Sequence, residues 1–169
     1  FFKVVYGEQG RTAYPDIEIV AINDLGDMEN LAYLLTHDSV YGKWDKKIET
    51  KGGFLSVDGK KTKFIQEKDP TKLPWKELEV DIVVESTGNF ETYEKAKVHL
   101  DAGAKRVVIS APAKDEDQDG GGKTILVGIN EKDFKNCKIS SNGSCTTNSA
   151  YPVMQILNET IGIKKAMLT

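Results

Sequence analysis

The segment Val80-Asp-Ile-Val-Val-Glu85, with Ser86-Thr-Gly88 after it and Arg106-Val-Val-Ile-Ser110 further on, decides the fold class of this chain. Both apolar runs are short and rich in β-branched residues, and turn residues follow each of them, which is typical of buried strands. The intervening segment Glu91–Ala102 predicts a helix, and Gly103 is the residue type that commonly ends one. A strand, a helix and a second strand in this order predict a βαβ unit with parallel strands.

The same alternation extends in both directions along the chain. Asp58-Gly59 between two apolar segments predicts a hairpin with a type I′ turn. Asp27 is placed to cap the helix that follows it. The further strands are predicted at Ile17–Ile22, Thr124–Gly128, Cys137–Ser141 and from Ile163 to Thr169, and the further helices at Phe1–Tyr6, Asp27–Thr36 and from Cys145 to about Thr160. Continuous apolar strands are expected when helices cover both faces of a sheet. The sequence therefore predicts an α/β fold with a Rossmann-like, doubly wound, mainly parallel sheet.

Composition narrows the function classes. Of 169 residues, 39% are hydrophobic and 29% are charged, and 23 basic against 26 acidic side chains give a net charge of −3. These values argue against a disordered chain, which would be poorer in apolar residues, and against a nucleic-acid binder, which would have a basic face. No segment approaches the ~20 apolar residues of a membrane span. Two cysteines do not form a disulfide framework, so we expect the reducing environment of the cytoplasm.

The motif with the clearest chemistry is Ser140-Ser-Asn-Gly-Ser-Cys-Thr-Thr-Asn148. It delivers Cys145 to the first turn of a helix, where free N–H groups and the helix dipole favour a thiolate. A thiolate is a strong nucleophile, and the same N–H groups can hold the oxyanion formed by attack on a carbonyl. The hydroxyls of Ser144 and Thr146 are candidates to bind a polar substrate group. The alternative is a buried structural cysteine, which is our interpretation of Cys137.

A second candidate is Asp24, just after the strand Ile17–Ile22. In dinucleotide-binding folds an acid at this position binds the ribose hydroxyls and favours NAD over NADP. The alternative is that Asp24 only shapes a turn. The glycine-rich phosphate loop that accompanies such an acid is not found, since Gly7-Glu-Gln-Gly10 has the wrong spacing.

Three weaker signals complete the analysis. Glu85-Ser-Thr-Gly88 and Ile109-Ser-Ala-Pro112 follow predicted strands, at the edge where α/β sheets bind ligands, although each is also an ordinary turn. Asp115–Gly120 imitates half of a calcium loop, but Leu126 stands where that loop needs Glu, so no metal site is predicted. His37 and His99 are interpreted as solvated side chains, which leaves no candidate base for a catalytic thiol.

Taken together, the ordered motifs resemble phosphorylating glyceraldehyde-3-phosphate dehydrogenases over nearly the whole chain. The motifs that support the resemblance are Ile19-Val-Ala-Ile-Asn-Asp24, Asp38-Ser-Val-Tyr-Gly42, Glu85-Ser-Thr-Gly-Asn-Phe90, Gly103-Ala-Lys-Arg-Val-Val-Ile-Ser-Ala-Pro112 and Ser144-Cys-Thr-Thr-Asn148. The resemblance implies NAD-dependent oxidation and phosphorylation of glyceraldehyde 3-phosphate to 1,3-bisphosphoglycerate. It implies a homotetramer whose partners are a small phosphorylated aldehyde and inorganic phosphate, with no nucleic acid or membrane.

The resemblance also implies a role for each matching residue. Cys145 matches the catalytic thiol, which forms a thiohemiacetal and then a thioester. Ser144 and Thr146 match residues that line the substrate region. The positions that match cofactor-binding residues are Asp24, Lys68, Thr87, Gly88, Phe90 and Ser110. Lys68 stands where the family usually has Arg, so a backbone contact would survive there but a planar guanidinium contact would not.

The family's glycine-rich loop and catalytic His are not found in this sequence, so we interpret the chain as a fragment. We expect residues 1–144 to belong to an NAD-binding domain without its first strand, and residues 145–169 to begin an α+β catalytic domain. We expect the isolated chain to be poorly stable and inactive.

Other functions stay open at this point. Erythrose-4-phosphate dehydrogenase shares the thiol motif but typically has Asn-Glu in place of Asn23-Asp24. Other semialdehyde dehydrogenases use a different thiol motif. A non-catalytic NAD-binding module and a cysteine-dependent hydrolase are alternatives from other classes.

Overall fold

The computed structural model describes residues 1–7, 14–117 and 121–167. The backbone forms two compact units, Phe1–Lys72 and Leu73–Thr169. Each unit contains its own four-stranded sheet with parallel pairing and its own helices, so the predicted α/β class is confirmed. The predicted boundary between residues 144 and 145 stays a prediction. Most of Gly7–Gly10 and the end of the acidic Asp115–Gly120 segment lie outside the described residues.

The first unit surrounds a small aromatic and aliphatic core. Its elements are helices α1 (Phe2–Tyr6) and α2 (Met28–Thr36), strands β1 (Ala21–Asn23), β2 (His37–Asp38), β3 (Gly42–Lys43), β4 (Ile48–Lys51), β5 (Phe54–Val57) and β6 (Lys60–Ile65), and a 3-10 turn at Pro70–Lys72. The main sheet has the order β1-β6-β5-β4, and β2 and β3 form a separate pair. Ala32, Trp44, Leu55 and Val57 form the core between α2 and the sheet.

Local sequence signals account for most of this unit. The Asp27 carboxylate accepts a hydrogen bond from Asn30 N–H at 2.8 Å, which confirms the predicted cap of α2. Asp58 and Gly59 have φ angles of 49° and 83°, which confirms the type I′ turn between β5 and β6. Strand β4 was not predicted, although the Gly52-Gly53 pair, with φ of 59° and 79°, is a second turn of the same kind.

Strand β1 is shorter than the predicted Ile17–Ile22 and shifted by one residue at its end. Its ladder with β6 is parallel and begins at Ala21, opposite Lys63. Before that point, the Ile19 carbonyl accepts from the side-chain hydroxyl of Thr62 at 2.9 Å instead of from a backbone N–H. The chain therefore follows β6 from Ile19 onward, but regular strand geometry starts two residues later.

The second unit contains an entirely parallel sheet. Its elements are strands β7 (Ile82–Glu85), β8 (Arg106–Ile109), β9 (Gly122–Thr124) and β10 (Ile139–Ser141), helices α3 (Tyr93–Asp101) and α4 (Cys145–Thr160), and a 3-10 helix at Glu131–Asn136. The strand order is β7-β8-β10-β9, with every pair parallel. Helix α3 packs on the sheet through a core of Tyr93, Ala96, Val107, Ile109 and Ile139. The predicted βαβ unit β7–α3–β8 is confirmed.

Two strand predictions in this unit were wrong. The strand predicted at Thr124–Gly128 lies at Gly122–Thr124, because the Asn130 side chain draws the chain into a turn. Its amide donates to the Thr124 carbonyl at 2.9 Å, and its oxygen accepts from Leu126 N–H at 2.8 Å. The strand predicted from Ile163 is not formed within residues 163–167.

In the part of the chain that the structure describes, no helix is both long and apolar enough to cross a membrane.

Candidate functional site

Three segments with predicted site residues begin side by side at the carboxyl edge of the second unit's sheet. Glu85, Ile109 and Ser141 are in register at the ends of β7, β8 and β10. Ser110 N–H then donates to the Glu85 carbonyl at 3.0 Å, and Asn142 N–H donates to the Ile109 carbonyl at 2.9 Å. The sheet therefore brings together, after its strand ends, the residues Thr87, Gly88, Phe90, Ser110, Ser144, Cys145 and Thr146.

Cys145 is the first residue of α4, as predicted, and its side chain is exposed. The first hydrogen bond of the helix runs from Asn148 N–H to the Ser144 carbonyl at 3.0 Å. The N–H groups of Cys145 and Thr146 precede this bond. Like the first N–H groups of any α-helix, they have no acceptor within the helix. They point along the axis at the positive end of the dipole, where negative charge is favoured.

Polar side chains shape the turn that delivers the thiol. Ser144 is the N-cap of α4, and its hydroxyl accepts from Thr147 N–H at 2.9 Å. The Asn148 amide bonds back to the carbonyls of Asn142 and Ser144, at 2.7 and 2.9 Å. The Ser144 hydroxyl is thus engaged in the cap, whereas the Thr146 hydroxyl lies 4.0 Å from the Cys145 sulfur.

The two cysteines have opposite environments. Cys137 is 4% exposed, and burial raises the pKa of its thiol despite the nearby positive charges of Arg106 and Lys123. It lies between the 3-10 helix and β10, not within the strand as predicted. A neutral, buried thiol is unreactive, whereas the exposed Cys145 at a helix N-terminus has the placement of a nucleophile.

Residues Thr87 to Phe90 form an exposed turn after β7. Gly88 has a φ of 76°, which other residue types rarely adopt. Asn89 N–H donates to the Thr87 hydroxyl at 3.1 Å, and the Phe90 ring packs edge-on against His99 with centroids 5.8 Å apart. The turn therefore has a defined conformation, although little of it is buried.

The interpretation of His99 as a solvated side chain was wrong. His99 and Glu85 are each 4% exposed, and His99 Nε2 lies 2.9 Å from Glu85 Oε2. The other ring nitrogen, Nδ1, accepts from Trp75 Nε1–H at 3.2 Å. Helical spacing contained the signal, since His99 is three residues after the core residue Ala96 and shares its face. His37, in contrast, is exposed as predicted.

Glu85 remains a carboxylate despite its burial. Removal from water by itself raises its pKa, but hydrogen bonds from His99 and Thr87 outweigh that effect and hold the pKa below the ordinary 4.5. Its other oxygen, Oε1, accepts from both the N–H and the hydroxyl of Thr87. The sequence motif includes Glu85 only as the residue before the turn. It does not indicate that the Glu85 carboxylate accepts the hydrogen bonds that fix Thr87 in that turn.

Sequence reasoning also missed Ser141 at the end of β10. Its hydroxyl donates to the Ala111 carbonyl at 2.7 Å and accepts from the N–H groups of Ala113 and Gly143, both at 3.1 Å. These bonds connect the segment after Ser110 with the turn before Cys145. Ser141 is the second of two consecutive serines in β10, and the sequence offers no signal that distinguishes it from Ser140.

In the first unit, Asp24 and Lys68 lie beyond the adjacent ends of β1 and β6. The Asn23 side chain donates to the Glu67 carbonyl at 3.0 Å and accepts from Glu67 N–H at 2.9 Å, which joins the two strand ends. Asp24 is exposed, and its Oδ1 accepts from Gly26 N–H at 2.7 Å, so it does shape a turn. That contact uses one carboxylate oxygen, and the ribose-binding role stays a prediction. Lys68 is likewise exposed.

Among residues 1–7, 14–117 and 121–167, no cluster of three His, Cys, Asp or Glu side chains could hold a metal ion. Asp115 instead accepts from Tyr93 N–H and Glu94 N–H at the start of α3, at 2.9 and 3.3 Å.

The sequence is similar to a known family model and to curated proteins. Residues 3–93 match the family model described as glyceraldehyde 3-phosphate dehydrogenase, NAD binding domain. The chain is 50% identical to a glyceraldehyde-3-phosphate dehydrogenase of Thermotoga maritima and 46% identical to one of Geobacillus stearothermophilus, in each case over 97% of this chain and 50% of the relative. A cytosolic enzyme of that name from Trypanosoma brucei brucei is 42% identical, with the same coverage of both chains.

The chain thus spans about half the length of the curated relatives it matches. The match extends across both compact units and includes the Cys145 motif, since it covers 97% of the chain. On this evidence the chain belongs to the glyceraldehyde-3-phosphate dehydrogenase family, with the NAD-binding, Rossmann-type fold of that family.

Proposed function

We propose that the natural protein with this sequence oxidises and phosphorylates glyceraldehyde 3-phosphate to 1,3-bisphosphoglycerate, with NAD as the electron acceptor. The observation that supports the proposal most is the placement of Cys145, exposed at the N-terminus of α4 and at the same sheet edge as Ser110 and Thr87. Ligands bind at this edge in open α/β sheets.

The thiolate of Cys145 would attack the aldehyde carbon, forming a C–S bond and moving the carbonyl electron pair onto oxygen. The N–H groups at the start of α4 are placed to stabilise that oxyanion. A bound NAD would supply the acceptor for the hydride that leaves this carbon, and Cys145 would then carry a thioester. Inorganic phosphate then attacks the thioester, forms the acyl phosphate and releases the thiolate. The exposed Thr146 hydroxyl is the better placed of the two predicted substrate-binding residues, because that of Ser144 caps the helix.

The residues present fit a dinucleotide. Asp24 is exposed after β1 with one carboxylate oxygen outside its turn contact, so it can accept hydrogen bonds from ribose hydroxyls and would repel a 2′-phosphate. Lys68 is exposed and follows Glu67, whose backbone is hydrogen-bonded to the Asn23 side chain. The second unit, considered by itself, has an exposed turn at Thr87 and Gly88 whose backbone groups can accept hydrogen bonds from a dinucleotide or donate them to it. We also propose a cytoplasmic homotetramer and a domain boundary between residues 144 and 145.

The test compares the two cysteines in the natural protein. We expect iodoacetamide to label Cys145 faster than Cys137, because Cys145 is exposed and the thiol of Cys137 is buried with a raised pKa. Cys145→Ser should reduce phosphate-dependent NADH formation from glyceraldehyde 3-phosphate on the order of 10³-fold or more while NAD still binds. Cys137→Ser is the matched control and should retain turnover.

Equal labelling of the two cysteines, or turnover that survives Cys145→Ser, would contradict the proposal. NAD binding without thiol-dependent turnover would indicate a non-catalytic binding module. A higher kcat/KM for erythrose 4-phosphate than for glyceraldehyde 3-phosphate would reassign the substrate.

A further inference from the structure

A buried chain of hydrogen bonds connects the core of the second unit to the exposed turn after β7. It runs from Trp75 through His99 and Glu85 to Thr87. Trp75, His99 and Glu85 are 6%, 4% and 4% exposed. None of these three has a role in the reaction steps described above, and a buried carboxylate is costly unless its partners are fixed.

The direction of every bond in this chain is determined. Trp75 Nε1–H can only donate, so His99 Nδ1 must be the acceptor. With Nδ1 as the acceptor, Nε2 is the ring nitrogen that donates to Glu85 Oε2. Both oxygens of Glu85 are therefore acceptors, Oε2 from His99 and Oε1 from Thr87. If any residue of this chain exchanged its donor and acceptor atoms, two hydrogen-bond donors would face each other.

The end of this chain is the turn that contains three predicted cofactor-binding residues. Thr87 N–H donates to Glu85 Oε1 at 2.7 Å, and the Thr87 hydroxyl in turn accepts from Asn89 N–H. The Phe90 ring rests on the edge of His99. Residues 86–89 are exposed, so packing alone contributes little to their conformation.

We propose that Glu85 and His99 are positioning residues that hold the Thr87–Phe90 turn in the conformation that receives the dinucleotide. The proposal rests on the proposed function, because it assigns the turn to NAD. Neither residue touches the cofactor in this scheme. They act by fixing the Thr87 backbone and hydroxyl before the cofactor binds. The entropy cost of ordering an exposed turn then does not reduce the affinity for the cofactor.

Two variants test the bonds in different ways. His99→Leu removes both ring nitrogens, whereas His99→Gln retains an amide that can donate to Glu85. Glu85→Gln keeps the shape but places an amide NH₂ against either His99 Nε2–H or Thr87 N–H, so one hydrogen bond is lost in either orientation. Tyr93→Phe is the control, since Tyr93 is a buried residue of α3 whose hydroxyl bonds Asp117, away from the turn.

Two readouts in the natural protein are needed. Without cofactor, amide hydrogen exchange at Thr87 should accelerate about tenfold in His99→Leu and Glu85→Gln, the effect of one lost bond to a charged group. With cofactor, Kd and KM for NAD should rise about tenfold, while kcat at saturating NAD and KM for the aldehyde stay within about twofold. His99→Gln should recover most of both effects, and Tyr93→Phe should show neither.

Unchanged exchange at Thr87, or an unchanged KM for NAD together with a lowered kcat, would overturn the proposal and leave the network a purely structural role. If His99→Leu does not fold, the exchange rate at Thr87 and the KM for NAD in Glu85→Gln test the proposal instead. If the unaltered protein does not bind NAD, the proposed function fails. Exchange that is faster in the variants would then still show that the network orders the turn.

Discussion

Replacement of Ser141 by alanine removes one hydroxyl that joins two parts of the candidate site. Ser141 is fully buried, and its hydroxyl makes three hydrogen bonds, to Ala111, Ala113 and Gly143. One of the connected segments follows Ser110, and the other leads to the thiol. Ser141→Ala leaves the backbone of β10 intact while two N–H donors and one carbonyl lose their partner.

The expected magnitude follows from the count of bonds. A buried hydrogen bond contributes about 1 kcal/mol net, so Ser141→Ala should cost about 3 kcal/mol. Thr62→Val is the matched control, because Thr62 is equally buried but its hydroxyl makes a single bond, to the Ile19 carbonyl. Its cost should be about 1 kcal/mol. At about 1.4 kcal/mol per factor of ten, exchange of the protected amides should accelerate about 100-fold in the first variant and about fivefold in the second.

Amide hydrogen exchange by mass spectrometry, in the natural protein, measures both effects at peptide resolution. For Ser141→Ala the relevant peptides cover residues 106–117 and 138–148, and for Thr62→Val they cover 17–23 and 60–66. Peptides of the other unit serve as the internal reference in each variant. If Ser141→Ala accelerates exchange no more than Thr62→Val does, the three bonds do not stabilise the site as argued.

Three further predictions concern single features of the fold. Ser144→Ala removes the cap of α4 and should cost about 1 kcal/mol, seen as faster exchange in residues 145–149; unchanged exchange there would contradict the cap. Gly103→Ala should lower the thermal midpoint more than Gly52→Ala. Both glycines have a positive φ, so both substitutions strain the backbone, but only at Gly103 would the new Cβ also clash, 2.4 Å from the Cβ of Lys76. An equal loss would show that the contact is relieved at no cost. The pKa of Glu85 is lowered on folding, so its stabilising effect is complete above its ordinary value of 4.5 and is lost as the pH falls through the folded-state pKa. Exchange near residues 85–90 should accelerate in that acid range, and Glu85→Gln should flatten the dependence; an identical acid profile in the variant would refute the assignment.

Short-range signals accounted for the elements that the sequence predicted well. The cap of α2 by Asp27 and the Asp58-Gly59 turn each depend on residues two or three positions apart. The start of α4 at Cys145 depends in the same way on the hydroxyl of Ser144. Such contacts are visible in a sequence because the partners are always close along the chain.

The predictions that failed depended on side-chain contacts to residues four or more positions away along the chain. The shift of β9 is due to the Asn130 side chain, which competes for the backbone groups of the predicted strand. His99 was assigned to solvent because its partners, Glu85 and Trp75, are 14 and 24 residues away along the chain. Helical periodicity places His99 on the same face of α3 as Ala96, but it does not identify these partners.

The sequence by itself determined the α/β class, the family and the position of a thiol at the start of a helix. Each of these depends on residues that are close together along the chain, so the pattern can be identified without the tertiary structure. The tertiary structure decided which side chains serve that site without touching it. Ser141 and Glu85 acquire their roles only when parallel strands bring the ends of β7, β8 and β10 into register. A hydroxyl or carboxylate removed from water must find partners, and those partners come from whichever segments the sheet places beside it.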